Sequence, residues 1–559
     1  MDLNRLKNIE LTIPPYALFI LMAIGYIGGL FVPLMDNDSA HHASIALAML
    51  QDGDWRFLTD HGAPYLDKPH FQFWLVALSF ATLGIHAFAY KISSFLFTLL
   101  GIWATYSLTR YLTDKQTALC SALLLSSIAA FALANVDVRM DAILTAAIIL
   151  AVWQGVLFFD SGRIGNMLLT ALALAIAFST KGWIGVMVPA FALLFYLVGT
   201  KKLRRLADWR FLLLIVSFFI FISPVLYAYY VQYDLHPEWV IRGSDHHSGV
   251  RFILYEQVFE RMEGGVGQSS ADDPFFFLHT LLWAALPWSL LFYLLLFRRI
   301  KRAFVDRECS VTDWLTIPAV ILTVAAFSLS QFKLPHYINV IFPLMAIYMA
   351  CELQRIQSPA LIKTIGVMQK TVCALLIVAS LCINCCLFPP LHIWLWIVCI
   401  AGAVVGIILL FCCRTASLRN TVVTGVLLSA WLWTMLNFNF YPQLLTYQAG
   451  NEMARFISAR NIPAQDIALY HPDDHSYSFD IAMKRIVPEC SLEELAARTA
   501  PAKYLFVEQK AYDDLLQHDI AFRVLHKVPD YRITRLTPQF LLPASRSETL
   551  SVVYLLELQ

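Results

Sequence analysis

The sequence predicts an all-α polytopic membrane bundle of about 13 transmembrane helices, followed by a small exterior α/β domain at its C-terminal end. Of the 559 residues, 58% are hydrophobic and 14% are charged, whereas soluble domains average about 25% charged residues. Apolar runs of about 20 residues recur along the chain, and each is long enough to cross a bilayer. Lys and Arg gather in alternate connections between these runs, which is typical of loops on the cytoplasmic side.

Run length and flanking charge predict each span in turn. The first run follows Arg5 and Lys7, is too long for the core of a signal peptide, and is predicted to be a retained helix. With the N-terminus in the cytoplasm, the Lys and Arg clusters fall inside and the C-terminus falls outside. The predicted spans are approximately 14–35, 88–110, 116–135, 141–159, 164–179, 182–199, 209–231, 274–297, 312–330, 336–354, 371–389, 391–412 and 420–440.

Three long segments are predicted on the exterior face. The chain is accordingly divided into a transmembrane domain, 1–440, with exterior loops 36–87 and 232–273, and an exterior domain, 441–559. The first loop contains two amphipathic patterns of the kind that lie in the membrane interface. The tail alternates strand-like runs with helix-like runs, which predicts a small α/β domain. The strand-like runs are Ile467–Tyr470, Tyr504–Val507 and Val552–Leu556, and the helix-like runs are Ser491–Arg498 and Gln509–Gln517.

The charges and the cysteines exclude several classes of protein. The net charge is +1 and the basic residues occur in short clusters at span ends, so nucleic-acid binding is not expected. All of the 11 cysteines except Cys490 lie in or next to apolar spans, which argues against a disulfide framework. The closely spaced Cys382, Cys385 and Cys386 are interpreted as small buried hydrophobes and not as a metal site.

The polar residues that could carry chemistry all lie at predicted exterior ends of apolar runs. Lys and Arg are normally scarce on that face, so their gathering there indicates one reaction centre. The set comprises Asp38, Asp67, Lys68, Asp137, Arg139, Asp141, Lys181, Lys333 and His336.

The carboxylates of this set have two interpretations. Asp38, just after the first span, is accessible to water yet close to neighbouring helices, which suits a general base. Asp67 and Lys68 precede Pro69, which holds them in extended backbone. A solvated loop explains these residues equally well. Asp141 is predicted to begin a helix, where the helix dipole alone favours a carboxylate.

Exterior cations at tight turns predict a site for an anion. Arg139, Lys181 and Lys333 each follow or precede a span on the face where cations are rare, and Lys68 is nearby in the first loop. Together these cations could surround a phosphate at the membrane surface. Taken singly, each could instead anchor a lipid headgroup.

A series of short motifs follows the membrane region in a fixed order. They are Asp38-Ser39, Gly53-Asp54-Trp55, Tyr65-Leu66-Asp67-Lys68-Pro69-His70, Gln72-Phe73-Trp74-Leu75, Arg139-Met140-Asp141, Lys181-Gly182, Glu260-Arg261, Pro274-Phe275, Leu286-Pro287-Trp288 and Lys333-Leu334-Pro335-His336-Tyr337. This series resembles the aminoarabinose transferase-like family of lipid-phosphate-sugar-dependent GT-C glycosyltransferases, which is related to the protein mannosyltransferases. The tail resembles that family's exterior domain more weakly.

The chain departs from the family pattern at two positions. Ser39 stands where a Glu usually follows the first Asp, and His70 stands where a second Pro follows the Lys. These changes weaken a direct assignment to aminoarabinose transfer onto lipid A.

The resemblance also raises a possible divalent metal. In relatives a Glu at the position of Asp67 can help to hold a metal with a His from the second large loop. The matching region here offers Asp272 and Asp273, so the candidate ligands are these two residues and Asp67. The histidines of that loop, His246 and His247, lie earlier in the chain.

The resemblance implies an integral membrane glycosyltransferase. The donor is a sugar on a polyprenyl phosphate, and the acceptor is lipid A or another envelope glycolipid, or, alternatively, a protein in O-glycosylation. The implied enzyme is a hexosyl- or pentosyltransferase of the bacterial inner membrane with a periplasmic C-terminal domain. The implied catalytic residues are Asp38, Asp67 and Asp141, and the implied ligands of the donor phosphate are Lys68, Arg139, Lys181, Lys333 and His336.

The main alternative from another class is a polytopic lipid or sugar transporter or flippase. Such proteins usually carry ionisable residues near the middle of the bilayer. The predicted spans are almost free of charge and the charged residues cluster at exterior ends. This distribution favours an enzyme at the membrane surface.

Overall fold

The structure is a computed structural model that describes residues 10–241, 245–257, 273–306, 309–470, 476–497 and 502–559. Most of these residues are helical, and a small four-stranded sheet lies near the C-terminal end. The predicted fold class, a helical membrane bundle with a small α/β region, is therefore confirmed.

Within the described ranges, nine helical segments are long and apolar enough to cross a membrane. Three shorter apolar helices, Pro15–Leu30, Phe71–Leu83 and Ile184–Gly199, accompany them. The long segments are Ala87–Leu112, Asp141–Ser161, Ile164–Lys181, Trp209–Asp234, Val311–Leu329, Pro335–Arg355, Pro359–Leu387, Ile393–Cys412 and Leu418–Tyr447.

Two predicted spans are each broken into two helices. The span predicted at 116–135 consists of Lys115–Ser127 and Ala129–Leu133, and the one predicted at 274–297 consists of Phe276–Ala284 and Ser289–Asp306. Pro287 lies in the second break and has no N–H to continue a helix. The two breaks contact each other. The Ala129 N–H donates to the Leu286 carbonyl at 2.8 Å, and Trp288 Nε1 donates to Ser127 Oγ at 2.9 Å.

The first long loop folds into two short helices and a hairpin. The helix Asp38–Asp52 begins after Asn37, whose side chain accepts from the Ser39 N–H. It packs against the helix Phe71–Leu83 through an apolar core. Between the two helices, β1 (Thr59–Asp60) pairs antiparallel with β2 (Ala63–Pro64). Both amphipathic patterns that the sequence showed in this loop are therefore helices.

Further short helical turns connect the spans. They are Leu203–Ala207, Gly249–Arg251, Phe252–Glu256, Tyr441–Leu444 and Leu445–Tyr447. The helices of the tail are Ala449–Ala459, Tyr477–Met483, Leu492–Ala496, Gln509–Gln517 and Pro538–Leu541, with single turns at Ala464–Asp466 and Arg546–Thr549.

The sheet of the tail has the strand order β3-β4-β6-β5. The strands are β3 (Ile467–Tyr470), β4 (Tyr504–Glu508), β5 (Phe522–Asp530) and β6 (Ser551–Leu558). β3 and β4 are parallel, whereas β6 is antiparallel to both β4 and β5. The three strands that the sequence predicted are present, and β5 is an additional edge strand. Most of the side chains of β5 remain partly or fully exposed, so its apolar pattern was too weak to identify it.

The tail is docked on the first long loop through buried polar contacts. Ser44 Oγ of the helix Asp38–Asp52 donates to Asp480 Oδ2 at 2.8 Å. Asp36 Oδ2 accepts from Ser476 Oγ at 2.9 Å and from Ser478 Oγ at 2.8 Å. These contacts hold the helix Tyr477–Met483 against the loop that carries Asp38.

Candidate functional site

One cavity of about 210 Å³ gathers most of the predicted site residues. It lies where the helix Asp141–Ser161 begins and the helix Ile164–Lys181 ends, so it is at one end of the bundle. The first long loop, the turn before Asp141 and the turn before Pro335–Ile341 supply its polar wall. The predicted site residues that line it are Asp38, Asp67, Lys68, Arg139, Lys181 and His336.

Arg139 is the centre of the charge network in this cavity. Its Nη1 donates to Asp38 Oδ2 at 2.8 Å and lies 3.3 Å from His336 Nδ1. Its Nε donates to Asp137 Oδ2 at 3.2 Å. A short connection between two helices carries Arg139, so its guanidinium is held with little freedom. A planar guanidinium fixed in this way matches the oxygens of a phosphate.

Lys181 reaches the cavity from the last turn of its helix. Gly182 follows in the left-handed conformation (φ 67°), which ends the helix at this point. The Lys181 ammonium donates to Asp141 Oδ1 at 2.9 Å, and both side chains are buried, with 5% and 3% exposed. The ammonium also lies 4.7 Å from the ring centroid of Tyr337.

Asp67 and Lys68 enter the cavity from the loop between β2 and the helix Phe71–Leu83. Gln257 Nε2 donates to the Asp67 main-chain oxygen at 3.2 Å, so the second long connection fixes this loop. Both charged side chains are partly buried. The positive charges of Lys68, Arg139 and Lys181 therefore share one small space.

Three of the nine predicted site residues, Asp137, Asp141 and Lys333, do not line the cavity. Asp141 lies behind Lys181. Its side chain is connected to the site by the hydrogen bond that it accepts from the Lys181 ammonium. Lys333 is only 2% exposed and its ammonium donates to the Asp273 main-chain oxygen at 2.8 Å. The catalytic role of Asp141 and the phosphate-binding role of Lys333 stay predictions.

Of the residues proposed as metal ligands, the structure describes Asp67 and Asp273, and these two do not line one cavity. The Asp273 carboxylate lies 2.6 Å from His279 Nε2 and is not in the cavity wall that contains Asp67. Asp272 lies outside the described residues, as do Glu260 and Arg261. Within the described ranges, no group of three His, Cys, Asp or Glu side chains is close enough to hold an ion. This part of the chain therefore offers no donor set that fits a divalent metal.

Burial and charge set the protonation states around Asp38. Burial acts to raise the pKa of Asp38, but the charge of Arg139, with a smaller contribution from Lys68, holds that pKa below its ordinary value. Burial lowers the pKa of His42 to about 3. Asp38 is therefore ionised and His42 is neutral near neutral pH.

The cavity also contains residues that sequence reasoning missed. The helix Asp38–Asp52 places His41 and His42 three and four residues after Asp38, which is the spacing of one helical face. That spacing was readable from the sequence. Other lining residues had no sequence signal, and they include Tyr65, Phe252, Gln257 and Phe332.

Comparisons with known proteins show which sequences the chain resembles. Residues 67–228 match the family model of the dolichyl-phosphate-mannose-protein mannosyltransferases. The chain is 29% identical over 345 residues to the undecaprenyl phosphate-α-4-amino-4-deoxy-L-arabinose arabinosyl transferase of Pseudomonas paraeruginosa, and 28% identical to that of Pseudomonas aeruginosa. The match to the first covers 60% of this chain and 58% of the relative, so the chain spans less than two thirds of its length.

Solved structures show the same fold. ArnT from Cupriavidus metallidurans bound to undecaprenyl phosphate superposes with a TM-score of 0.72 at 18% identity, over 96% of each chain. The apo state of the same protein gives a TM-score of 0.71.

The described helices form a multi-pass membrane fold of the same type as that of ArnT. By its family model and its relatives, the chain is similar to the aminoarabinose transferase-like group that its motifs indicated.

Proposed function

We propose that the protein transfers a sugar from a polyprenyl-phosphate donor to an acceptor in the cell envelope, which is lipid A or another glycolipid. The observation that supports this proposal best is the cavity in which Asp38, Lys68, Arg139, Lys181 and His336 meet at one end of the bundle. A lipid-linked phosphate can reach this position from the membrane while its sugar enters the cavity. The names of the relatives point to the same class of donor.

The cations of the cavity bind the donor phosphate in this proposal. When the bond between the sugar and the phosphate breaks, the phosphate gains negative charge, and preorganised cations stabilise that charge. Arg139 offers two or more N–H groups in a plane, whereas Lys68 and Lys181 act as point charges. Asp38 holds Arg139 in place through the 2.8 Å contact, and in this proposal its exposed carboxylate faces the acceptor.

A protein acceptor is the second candidate. The match to the protein mannosyltransferase family model over 67–228 favours it, because this segment includes Lys68, Arg139 and Lys181. The sugar is proposed to be either a pentose, as in the names of the relatives, or a hexose.

The test compares the envelope of a deletion strain with that of the complemented strain. Mass spectrometry of extracted lipids and of exported proteins is expected to show one pentose or hexose missing from one class of molecule. Lys68→Ala and Arg139→Ala in the complementing gene serve as inactive controls. An unchanged envelope in both fractions contradicts a transferase and favours the transporter alternative.

We propose further that the cavity and the domain 441–559 face the periplasm and that the N-terminus is cytoplasmic. The alternation of Lys and Arg between the predicted spans supports this orientation. A reporter that is active only in the cytoplasm, fused after Gln559, is expected to be silent, whereas the same reporter fused within the predicted inner loop at 201–208 is expected to be active. The reverse result contradicts the orientation.

A further inference from the structure

We propose that His41 is the general base of the transfer and that the acceptor is therefore a hydroxyl group, not a phosphate. This inference rests on the proposed sugar transfer and specifies its acceptor chemistry. It starts from a hydrogen-bonded pair, His41 and Asp60, that lies at the cavity wall.

Asp60 fixes the orientation of the His41 ring. His41 Nε2 lies 2.8 Å from Asp60 Oδ2, so the ring donates its N–H to the carboxylate at this position. Tyr477 Oη donates to the same oxygen at 3.2 Å. Burial acts to raise the pKa of Asp60, but the hydrogen bond of His41 holds that pKa below its ordinary value. The ionised carboxylate accepts the N–H of the ring at Nε2, so the tautomer with its proton on Nε2 is the one that fits this contact.

Aromatic contacts restrict the ring further. Tyr477 of the docked tail stacks on His41 with ring centroids 4.3 Å apart and an angle of 24° between the planes. Tyr65 contacts the ring edge-on at 5.3 Å. The tail thus takes part in the site, since the helix that contains Tyr477 supplies both a stacking partner and a hydrogen bond.

The other ring nitrogen is left as a proton acceptor. When Nε2 carries the proton of a neutral imidazole, Nδ1 carries a lone pair. His41 lines the cavity, and among the described residues none hydrogen-bonds its Nδ1. Here the base is His41 and the carboxylate that orients it is Asp60. A base that activates a nucleophile and is oriented by a third group is a recurring arrangement for proton abstraction.

Two neighbouring groups are less suited to this role. Asp38 is already bonded to Arg139 at 2.8 Å, and that charge lowers the pKa of Asp38. His42 has a pKa of about 3 because of burial. An acceptor phosphate is ionised at neutral pH and needs no base, whereas a sugar or Ser/Thr hydroxyl does. A built base therefore favours a hydroxyl acceptor.

The proposed sugar transfer forms one bond, breaks one bond and moves one proton. The acceptor oxygen forms a bond to the anomeric carbon of the donor sugar, and its proton passes to His41 Nδ1. The bond between the anomeric carbon and the phosphate oxygen breaks, and its electron pair leaves with the polyprenyl phosphate. The charge that the phosphate gains is stabilised by Arg139, Lys68 and Lys181.

The test uses the detergent-purified full chain and an envelope extract of the deletion strain as the source of donor and acceptor. His41→Ala is expected to reduce the initial rate at saturating extract by about 10²- to 10⁴-fold. Binding of undecaprenyl phosphate, measured by intrinsic fluorescence, is expected to change by less than about threefold, because a group that acts on the acceptor affects rate and not donor affinity. Added imidazole is expected to restore part of the rate of His41→Ala.

Three further variants separate catalysis from folding. His41→Gln keeps an N–H donor for Asp60 but has no basic nitrogen, so it is expected to fold like the wild type and remain inactive. Asp60→Asn alters a positioning residue, and it is expected to reduce the rate without changing the affinity for undecaprenyl phosphate. The matched control is His392→Ala, an exposed histidine outside the cavity, which is expected to retain the wild-type rate.

The linkage in the product decides the acceptor. Phosphorus NMR of the purified product is expected to show no new sugar–phosphate diester, since the sugar is joined to a hydroxyl oxygen. A new diester, or a His41→Gln rate within about threefold of wild type, overturns the inference and leaves sugar transfer intact. Absence of any transfer by the wild type overturns the proposed function and this inference together.

Discussion

The buried pair Lys181–Asp141 gives a quantitative test of how the site is built. Its two atoms are 2.9 Å apart and the side chains are 5% and 3% exposed. Removal of one partner of a buried pair leaves an uncompensated charge and costs about 3–5 kcal/mol. Lys181→Met is therefore expected to lower the free energy of unfolding by about that amount. The additional loss of the contact between the ammonium and Tyr337 is smaller, about 0.5–2 kcal/mol.

The double variant Lys181→Met/Asp141→Leu removes both charges. Replacement of a whole buried pair by apolar side chains is often neutral or stabilising, so most of the lost stability is expected to return. Lys202–Asp160 is the matched control, with atoms 2.6 Å apart but with 41% of the lysine side chain exposed. Lys202→Met is expected to change stability by no more than about 1 kcal/mol.

The assay is denaturant unfolding in detergent micelles, followed by titration with undecaprenyl phosphate. If Lys181 also binds phosphate, the double variant is expected to be stable yet to bind undecaprenyl phosphate at least tenfold more weakly, since charge-assisted contacts contribute about 1.5–3 kcal/mol. A loss below about 1 kcal/mol in Lys181→Met refutes the buried-pair argument. Wild-type affinity in the folded double variant refutes the phosphate role and leaves Lys181 a structural residue.

Three more predictions follow from the contacts around the cavity. Asp38→Asn frees Arg139 from a carboxylate, so it is expected to tighten undecaprenyl phosphate binding about tenfold while it slows transfer. Weaker binding contradicts the idea that Asp38 and the phosphate compete for Arg139. Lys68→Ala and Arg139→Ala are each expected to weaken that binding, and the double variant to lose less than the sum because both residues act on one phosphate; small additive losses indicate headgroup anchors. Burial acts to lower the pKa of His61, but the hydrogen bond and charge of Asp480 raise that pKa overall. The contact between His61 and Asp480 therefore stabilises the fold fully below the ordinary His pKa of about 6.5, and this stabilisation is lost as the pH rises through the raised pKa. Hydrogen-exchange protection of the helix Tyr477–Met483 is therefore expected to fall above neutral pH, and His61→Gln to flatten this dependence; an unchanged slope in the variant contradicts it.

The sequence predicted the membrane part well because length and hydropathy report directly on a span. The bounds 141–159 and 164–179 agree with the helices Asp141–Ser161 and Ile164–Lys181 within about two residues, which is the usual uncertainty of a helix end. The break at Pro287 and the break after Ser127 were missed, since apolar composition continues through both. The contact between the two breaks, in which Trp288 Nε1 donates to Ser127 Oγ, helps to explain why the break after Ser127 is tolerated.

The site was predictable in part. Cations at exterior span ends could be recognised because they oppose the usual charge bias, and Arg139, Lys181 and Lys68 do line one cavity. The depth of each residue could not be recognised, because it depends on packing between distant segments. For this reason the sequence did not show that the Lys333 ammonium donates to the Asp273 main-chain oxygen and does not line the cavity. His41 was overlooked because its partner Tyr477 lies 436 positions later in the chain.

The charge network suggests how donor binding prepares the acceptor side of the site. Arg139 is bonded to Asp38 and Asp137, so a phosphate that binds Arg139 competes with those carboxylates. The Asp38 carboxylate is the more exposed of the two, with 47% of its side chain accessible against 15% for Asp137, and it is therefore the one that yields. Displaced from Arg139, Asp38 becomes available to accept a hydrogen bond from the acceptor, three residues from His41 on the same helix face. Under the proposed function, donor binding is therefore expected to free the carboxylate that orients the acceptor, so that transfer is favoured only when the donor is in place.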